Sequence, residues 1–430
     1  MGGVRPQTFK IISSMETVTN EQLSSKQLME LEDKYGAHNY HPLGVVLAKG
    51  EGVHVWDVEG KKYFDFLSAY SAVNQGHCHP RLVATITEQA KTLNLTSRAF
   101  YNNKLGVFEK FACEYFGYEK LLPMNTGAEG VETAIKICRK WGYEKKGIPT
   151  NQAKILVCGQ NFHGRTVTII SFSSDPGAKG DFGPYTPGFE SIPYNDIPAL
   201  KAALEADGAN IAGFLVEPIQ GEAGVNVPDD DFLYDAYELC KEHNVLFIGD
   251  EIQTGIARTG RLLACDHDNV RPDILILGKA LSGGMYPVSA VLADNHIMEV
   301  IHPGQHGSTY GGNPMACAVA IEALKIVQEE QLAGNAFQMG VLFRGRMNKL
   351  AEKTDLITKV RGKGLLNAVV INDTPDSSTA MDICIAMAHN GLLAKPTHGN
   401  IIRFAPPLVI NHRQLDACCT IIEETILNFK

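Results

Sequence analysis

The chain has 430 residues, 44% of them hydrophobic and 20% charged, with a formal net charge of −9. That length exceeds one ordinary core and predicts two or more domains, and the balance is that of a folded chain rather than a disordered one. No block of Lys and Arg stands out, so no nucleic-acid partner is expected, and apolar runs such as Val245–Ile248 fall far short of the ~18 residues of a membrane-crossing helix, so no membrane partner is expected either.

Residues 1–34 are polar and read as an N-terminal tail. Met1 to Ser14 hold Arg5 and Lys10 and no acid, a faint transit-peptide likeness, and Pro6 stands where myristoylation needs Ser or Thr. Ten scattered cysteines with no C-x-x-C pair predict a reduced, intracellular protein. The cytoplasm is the expected compartment, with the mitochondrial matrix as the alternative. Residues 35–79 read as an N-terminal segment packing with a small domain. After Pro80, Leu82, Ile86, Ala90 and Leu93 share one helical face, and Val131, Ile135, Cys138 and Trp141 share another. Short apolar runs recur at Ile155–Val157, Phe214–Val216, Val245–Ile248, Ile274–Leu277 and Val288–Leu292. They are apolar throughout rather than alternating, as strands buried on both faces are. Alternation of such strands with helices predicts an α/β large domain with a mostly parallel sheet over residues 80–330. From 331 to 430 the pattern changes to a long amphipathic helix, short strands near Ala368–Ile371 and Ile401–Phe404, and a final helix. This predicts a smaller α+β domain.

Three places carry chemistry. The Val245–Ile248 run leads straight into Asp250, at the end of a strand where parallel sheets bind ligands. The Ile274–Leu277 run leads into Gly278-Lys279-Ala280-Leu281-Ser282-Gly283-Gly284, where small neighbours leave the lysine beside the sheet end and open room next to its amine. Burial there lowers a lysine pKa and makes the amine a nucleophile. Thr126 and Glu129 form a capping box, which leaves the amides of Gly127 and Ala128 free at a positive helix end, a ready phosphate cradle. Each alone has a plainer explanation: acids end strands because loops are wet, loop lysines snorkel, and capping boxes are common. Together they supply what pyridoxal 5'-phosphate (PLP) requires, namely a phosphate anchor, an acid for the pyridine nitrogen and a lysine for the Schiff base.

Seven ordered stretches then resemble one family. They are Tyr35 to Pro42, Asn125 to Glu132, Phe162-His163-Gly164-Arg165-Thr166, Glu217 to Gly224, Asp250 to Gly255, Gly278 to Gly284 and Gly307 to Pro314. The chain is similar to the class III (subgroup II) aminotransferases of PLP fold type I, the aspartate-aminotransferase-like fold, from about Tyr35 to the C-terminus. Within the family it most resembles the branch that acts on ornithine. The resemblance implies that Lys279 forms the Schiff base and carries the proton between substrate and cofactor carbons. It implies that Asp250 pairs with the pyridine nitrogen, Gln253 lies near the ring hydroxyl, Phe162 stacks on the ring, and Gly127 and Ala128 hold the phosphate. Thr309 would be added from a partner subunit, which implies a homodimer with shared active sites. For substrates, L-ornithine and 2-oxoglutarate, the resemblance implies that Tyr40 and Arg165 take the α-carboxylate of ornithine and that Tyr70 lines the pocket. Arg403 would bind the α-carboxylate of glutamate, and Glu222 would mask Arg403 while ornithine is bound. Such masking is sound chemistry, because a paired carboxylate neutralises a guanidinium that is otherwise a bidentate carboxylate site.

The alternatives within the family are members acting on acetylornithine or 4-aminobutyrate, and Tyr40 and Tyr70 favour ornithine. More remote are a PLP enzyme that is not a transaminase and a nucleotide-binding protein; no G-x-G-x-x-G follows the first strand. Gly130 interrupts a helix at about 1 kcal/mol of propensity. His163 should lie beside the ring without a special role. His38, His41, His77 and His79 read as loop histidines, and no metal is expected.

Overall fold

The computed structural model describes residues 23–429; the stretch from Met1 to Ser14 lies outside them. The chain divides into two compact units, one holding residues 23–49 and 55–62, the other 50–54 and 63–429. In the first unit, part of the stretch read as a tail is helical. Ser24 accepts from the Gln27 amide and Gln27 answers it, a capping box that starts the helix Ser25–Tyr35. Ser25 also holds the Glu59 carboxylate through its amide (2.9 Å) and its hydroxyl (2.6 Å). Lys49 and Lys62 lie 4.5 and 5.3 Å from the Trp56 ring centroid.

The second unit is organised by a seven-stranded sheet. In spatial order its strands are Lys120–Met124, Ser289–Ala293, Ile274–Leu277, Leu246–Asp250, Ile211–Val216, Lys154–Cys158 and Phe189–Ile192. The last five are parallel neighbours, while Ser289–Ala293 runs antiparallel to both strands beside it. The apolar runs expected as doubly buried strands are all in this sheet, and every residue of Ile211–Val216 is buried. One face is covered by the helix Gly127–Trp141, which buries Val131, Ile135, Cys138 and Trp141. The other is covered by Ile197–Asp207 and Phe232–Glu242. Gly130 has a packing reason: a Cβ there would sit 3.0 Å from Ile276 Cγ2, so the glycine lets its helix approach the sheet.

Residues 331–430, which we propose as a smaller domain, carry their own antiparallel sheet in the order Ile357–Lys363, Leu366–Ile371, Ile401–Phe404, Lys395–Thr397. Helices Leu332–Ala351, Thr379–His389 and His412–Leu427 accompany it. Its core continues into earlier parts of the chain, where the Phe66 ring meets Phe343 (6.3 Å) and Phe404 (6.1 Å). Arg258 is wholly buried at this junction and donates to the carbonyls of Leu365 (3.0 Å) and Pro406 (2.6 Å) and to the Asn74 side chain. Burial pushes its guanidinium down to about 9.

Candidate active site

Four neighbouring parallel strands deliver their following loops to one side of the sheet. Lys154–Cys158 leads to Phe162 and His163, Ile211–Val216 to Glu217 and Glu222, Leu246–Asp250 to Gln253, and Ile274–Leu277 to Lys279. The carboxyl ends of adjacent parallel strands are where such sheets hold ligands. A cavity of about 180 Å³ opens there, lined by Gly127, Ala128, Phe162, His163, Asp250, Ile252, Gln253 and Lys279 among others. All six sequence-predicted cofactor residues other than Thr309 therefore meet in one place.

Each wall has a physical basis. The Thr126 hydroxyl accepts from the Glu129 amide at 3.2 Å, and Glu129 bonds back to the Thr126 amide at 2.9 Å. The amides of Gly127 and Ala128 donate to no acceptor among the described residues, so two N–H groups point out of the helix end. Asp250 is buried and accepts from the Ile252 amide at 3.1 Å. Its second oxygen lies 2.7 Å from His163 Nδ1. Burial opposes protonation of His163, but the hydrogen bond and charge of Asp250, then Glu217, outweigh it and raise the imidazole above its ordinary value. Glu217 itself is pushed up to about 7 by burial, and it accepts the Phe162 amide at 3.0 Å. Lys279 has φ +42°, a left-handed conformation that a non-glycine residue adopts at a cost and that turns its side chain off the strand into the cavity. Burial lowers its amine below the usual lysine value, partly offset by Glu222.

A second constellation adjoins the first. Arg403, buried on the strand Ile401–Phe404, donates to Glu222 Oε1 at 2.8 Å and to Gln253 Oε1 at 3.2 Å. Gln253 in turn donates to Glu222 at 3.2 Å. Burial would raise the Glu222 carboxyl, but Arg403, Lys279 and these hydrogen bonds outweigh it and hold it below its ordinary value. The guanidinium carbon sits 5.0 Å from the Tyr70 ring centroid. Tyr70 belongs to a left-handed turn, Ser68 to Ser71, with φ between +47° and +73° and no glycine to ease it. Asp65 accepts the Leu67 and Ser68 amides at 2.8 and 2.9 Å and so anchors the turn. Strain held in place this way is typical of functional sites.

An outer cavity of about 380 Å³ shares Phe162, His163 and Gly164 with the first and extends past Arg165, Glu222, Thr397 and His398. Arg165 is largely exposed, 5.5 Å from the Phe162 ring centroid and 3.9 Å from Asp175. Tyr40 lies in the first unit, where it is 72% exposed. Thr309 is exposed and lines neither cavity of its own chain. Sequence reasoning missed Glu217 and Ile252 as site residues and gave His163 no partner. An apolar residue two places after Asp250 in a polar loop was the only local signal for Ile252.

The model of the aminotransferase class-III family matches residues 35–426. The chain belongs to the class-III aminotransferases. Ornithine aminotransferase, mitochondrial, of Drosophila melanogaster is 58% identical over 97% of this chain and 95% of its own length. The solved ornithine aminotransferase of Toxoplasma gondii, described with partial occupancy of PLP at its active site, is 48% identical, covers 95% of each chain and superposes with a TM-score of 0.93. A structure described as acetylornithine aminotransferase from Elizabethkingia anophelis is 64% identical, covers 94% of this chain and 99% of its own, with a TM-score of 0.87.

The cofactor of this class-III aminotransferase is PLP, and the residues fit it. The free Gly127 and Ala128 amides suit its phosphate, the buried Asp250 carboxylate its pyridinium, the lowered Lys279 amine its aldehyde, and Phe162 with Ile252 the faces of its ring. The His163 imidazole, 2.7 Å from Asp250, keeps the carboxylate oriented, a role the sequence did not suggest.

Proposed function

We propose that this aminotransferase moves the δ-amino group of L-ornithine to 2-oxoglutarate, giving L-glutamate 5-semialdehyde and L-glutamate in two half-reactions. When bound, PLP supplies the electron sink that lets a carbon bearing an amine lose its proton and its amino group. The protein does the rest. Lys279 Nζ, lowered by burial, takes and returns the proton at the reacting carbon. Phe162 and Ile252 narrow the cavity and exclude water. Arg403, behind Gln253 of the inner cavity and Glu222 of the outer one, is a buried carboxylate site, but Glu222 occupies it at 2.8 Å. That pair carries the reading. With Arg403 masked, the α-carboxylate of ornithine is held farther out, by Arg165 at the outer cavity, and the distal amine reaches Lys279. When Glu222 swings away, Arg403 accepts the α-carboxylate of 2-oxoglutarate bidentately. Tyr70, beneath the guanidinium, restricts Arg403 to this orientation. Tyr40, in the other unit, is outside this reading.

A second reading has its own observation, the 64% identity to a structure described as an acetylornithine aminotransferase. N-acetylornithine presents the same distal amine and carries an acyl group on the α-nitrogen. Visible absorption of the holoenzyme separates the two. L-ornithine alone should remove the cofactor band and 2-oxoglutarate should restore it. If only N-acetylornithine removes it, the second reading replaces the first.

The same proposal makes the enzyme a homodimer, with Thr309 reaching the phosphate site of the partner subunit. Its support is the exposure of Thr309 near Tyr310, and of Phe100, Tyr101 and Val107, large apolar side chains that a second copy would cover. Sedimentation at the monomer mass would end this proposal. No helix among the described residues is long and apolar enough to cross a membrane. Between the two compartments, the mitochondrial designation of relatives such as that of Drosophila melanogaster supports the matrix over the cytoplasm; ten free thiols suit either.

A further inference from the structure

Masking Arg403 requires more than a carboxylate of the right charge. Glu222 sits in a tight loop, and its side chain reaches the guanidinium only if its own peptide is held. The loop is closed at its base by Gln220 and Asn226, which exchange backbone bonds of 3.1 and 2.9 Å. Within it, the amides of Gly224 and Val225 both turn back to the Gly221 carbonyl, with φ +104° and +57°. Two side chains from the C-terminal sheet then grip it from outside. Arg361 donates twice to the Gly224 carbonyl, at 2.9 and 2.7 Å. The Thr397 hydroxyl donates to the carbonyl of Glu222 itself. Thr397 and Arg403 lie on paired antiparallel strands, in the register Thr397↔Ile401 and Lys395↔Arg403. One strand pair thus carries both the cation and the tether that fixes the backbone of the anion.

We infer that Thr397 is a positioning residue of the Glu222 gate, and that its hydroxyl sets how readily the carboxylate leaves Arg403 and hence which end of the amino donor reacts. This rests on the reading of Glu222 as the mask. The hydroxyl holds the Glu222 peptide in the masked geometry, so losing it shifts the gate toward the open state. A ligand that needs the open state binds more tightly as that state gains population.

The test uses Thr397→Val and Thr397→Ala, which both remove the hydroxyl, and Thr397→Ser, which keeps it, with Glu222→Ala as reference. L-ornithine labelled with ¹⁵N at the δ-position is turned over with 2-oxoglutarate, and the labelled fraction of the glutamate formed is measured with the KM for 2-oxoglutarate. Val and Ala variants should raise α-transfer relative to δ-transfer by about five-fold, the shift expected for one lost hydrogen bond, and lower the KM for 2-oxoglutarate in the same direction. The Ser variant should match the native enzyme. A merely structural role would slow both ends alike and leave the ratio unmoved. If Glu222→Ala shifts the ratio and neither hydroxyl-less variant does, the positioning role is overturned while the mask stands. If Glu222→Ala leaves the ratio unchanged, the mask itself fails.

Discussion

Removing Glu222 should change both what the enzyme selects and how stable it is. In the native chain the Arg403 side chain is 3% exposed and Glu222 25% exposed, at 2.8 Å. In Glu222→Ala the guanidinium keeps the Gln253 oxygen at 3.2 Å and the Gly221 carbonyl at 3.4 Å, neither of them an anion. Breaking a buried pair by deleting one partner costs roughly 3–5 kcal/mol, and the part-exposed glutamate places this case at the lower end, about 3 kcal/mol. For a chain of this length that lowers Tm by about 3 °C. The freed guanidinium then competes for any α-carboxylate. A charge-assisted hydrogen bond is worth about 1.5–3 kcal/mol, or roughly 10- to 100-fold in rate ratio. Ornithine captured by Arg403 presents its α-amine instead of its δ-amine. With δ-¹⁵N ornithine, the label in the product glutamate should therefore fall steeply while total turnover persists. Single-turnover rates should show L-glutamate gaining on L-ornithine by the same factor. Equal label and an unchanged rate ratio, in a protein whose Tm has dropped, would show that the pair is structural and refute the selection argument.

Lys279→Ala should abolish turnover and leave the circular dichroism spectrum native, since the side chain projects into a cavity; retained activity would remove the lysine from the mechanism. Glu251 is wholly buried and its carboxyl is pushed up to about 7 by burial, so the folded state holds its proton over a range where the unfolded state, near 4.5, has lost it. The stability contributed is therefore full below about pH 4.5 and is lost as pH rises through about 7, by at most about 3 kcal/mol. The difference in Tm between native and Glu251→Gln proteins should accordingly favour the native chain more at pH 5 than at pH 8, and a difference independent of pH would count against a raised carboxyl. Gly340, on the helix Leu332–Ala351, packs so closely that an added Cβ would lie 1.8 Å from the Gly364 carbonyl oxygen. Gly340→Ala should cost about 2 kcal/mol or more in chemical denaturation, and a loss under about 0.5 kcal/mol would mean that the hairpin moves aside freely.

What the sequence disclosed follows from how local each signal is. Doubly buried strands announce themselves because their positions are apolar, so Phe214–Val216 and Ile274–Leu277 could be read directly. The capping box at Thr126 is a four-residue code, and the free amides follow from it. The antiparallel direction of Ser289–Ala293 left no such trace, because burial on both faces looks the same in either direction. The left-handed turn from Ser68 to Ser71 was illegible for a different reason. Its residues have no preference for positive φ, and what holds them is Asp65 and the surrounding packing. Asp250 could be placed at a strand end, yet the imidazole that orients it comes from 87 residues away. Arg258 likewise looks like any loop arginine until three chain segments converge on it.

The distribution of roles over the two sheets carries a consequence for selectivity. Asp250 lies on the large sheet, and Lys279 and the helix end at Gly127 adjoin the carboxyl ends of its strands in one cavity. Arg403 and Thr397 belong to the C-terminal sheet; both meet Glu222, 181 residues before Arg403 in the chain, and Arg403 also meets Gln253. Lys279 and the Glu222–Arg403 pair are thus carried mainly by different sheets, which meet at Glu222, at Gln253 and around the buried Arg258. Small displacements of the C-terminal sheet should change the Glu222–Arg403 distance more than the placement of Asp250, which is paired with Ile276 inside the large sheet. An ion pair weakens smoothly with distance in a partly screened site, whereas proton transfer at Lys279 demands a fixed geometry. Substitutions in the strands Lys395–Thr397 and Ile401–Phe404 should therefore redistribute the enzyme between its two ends of reaction, and substitutions around Lys279 should lower both together.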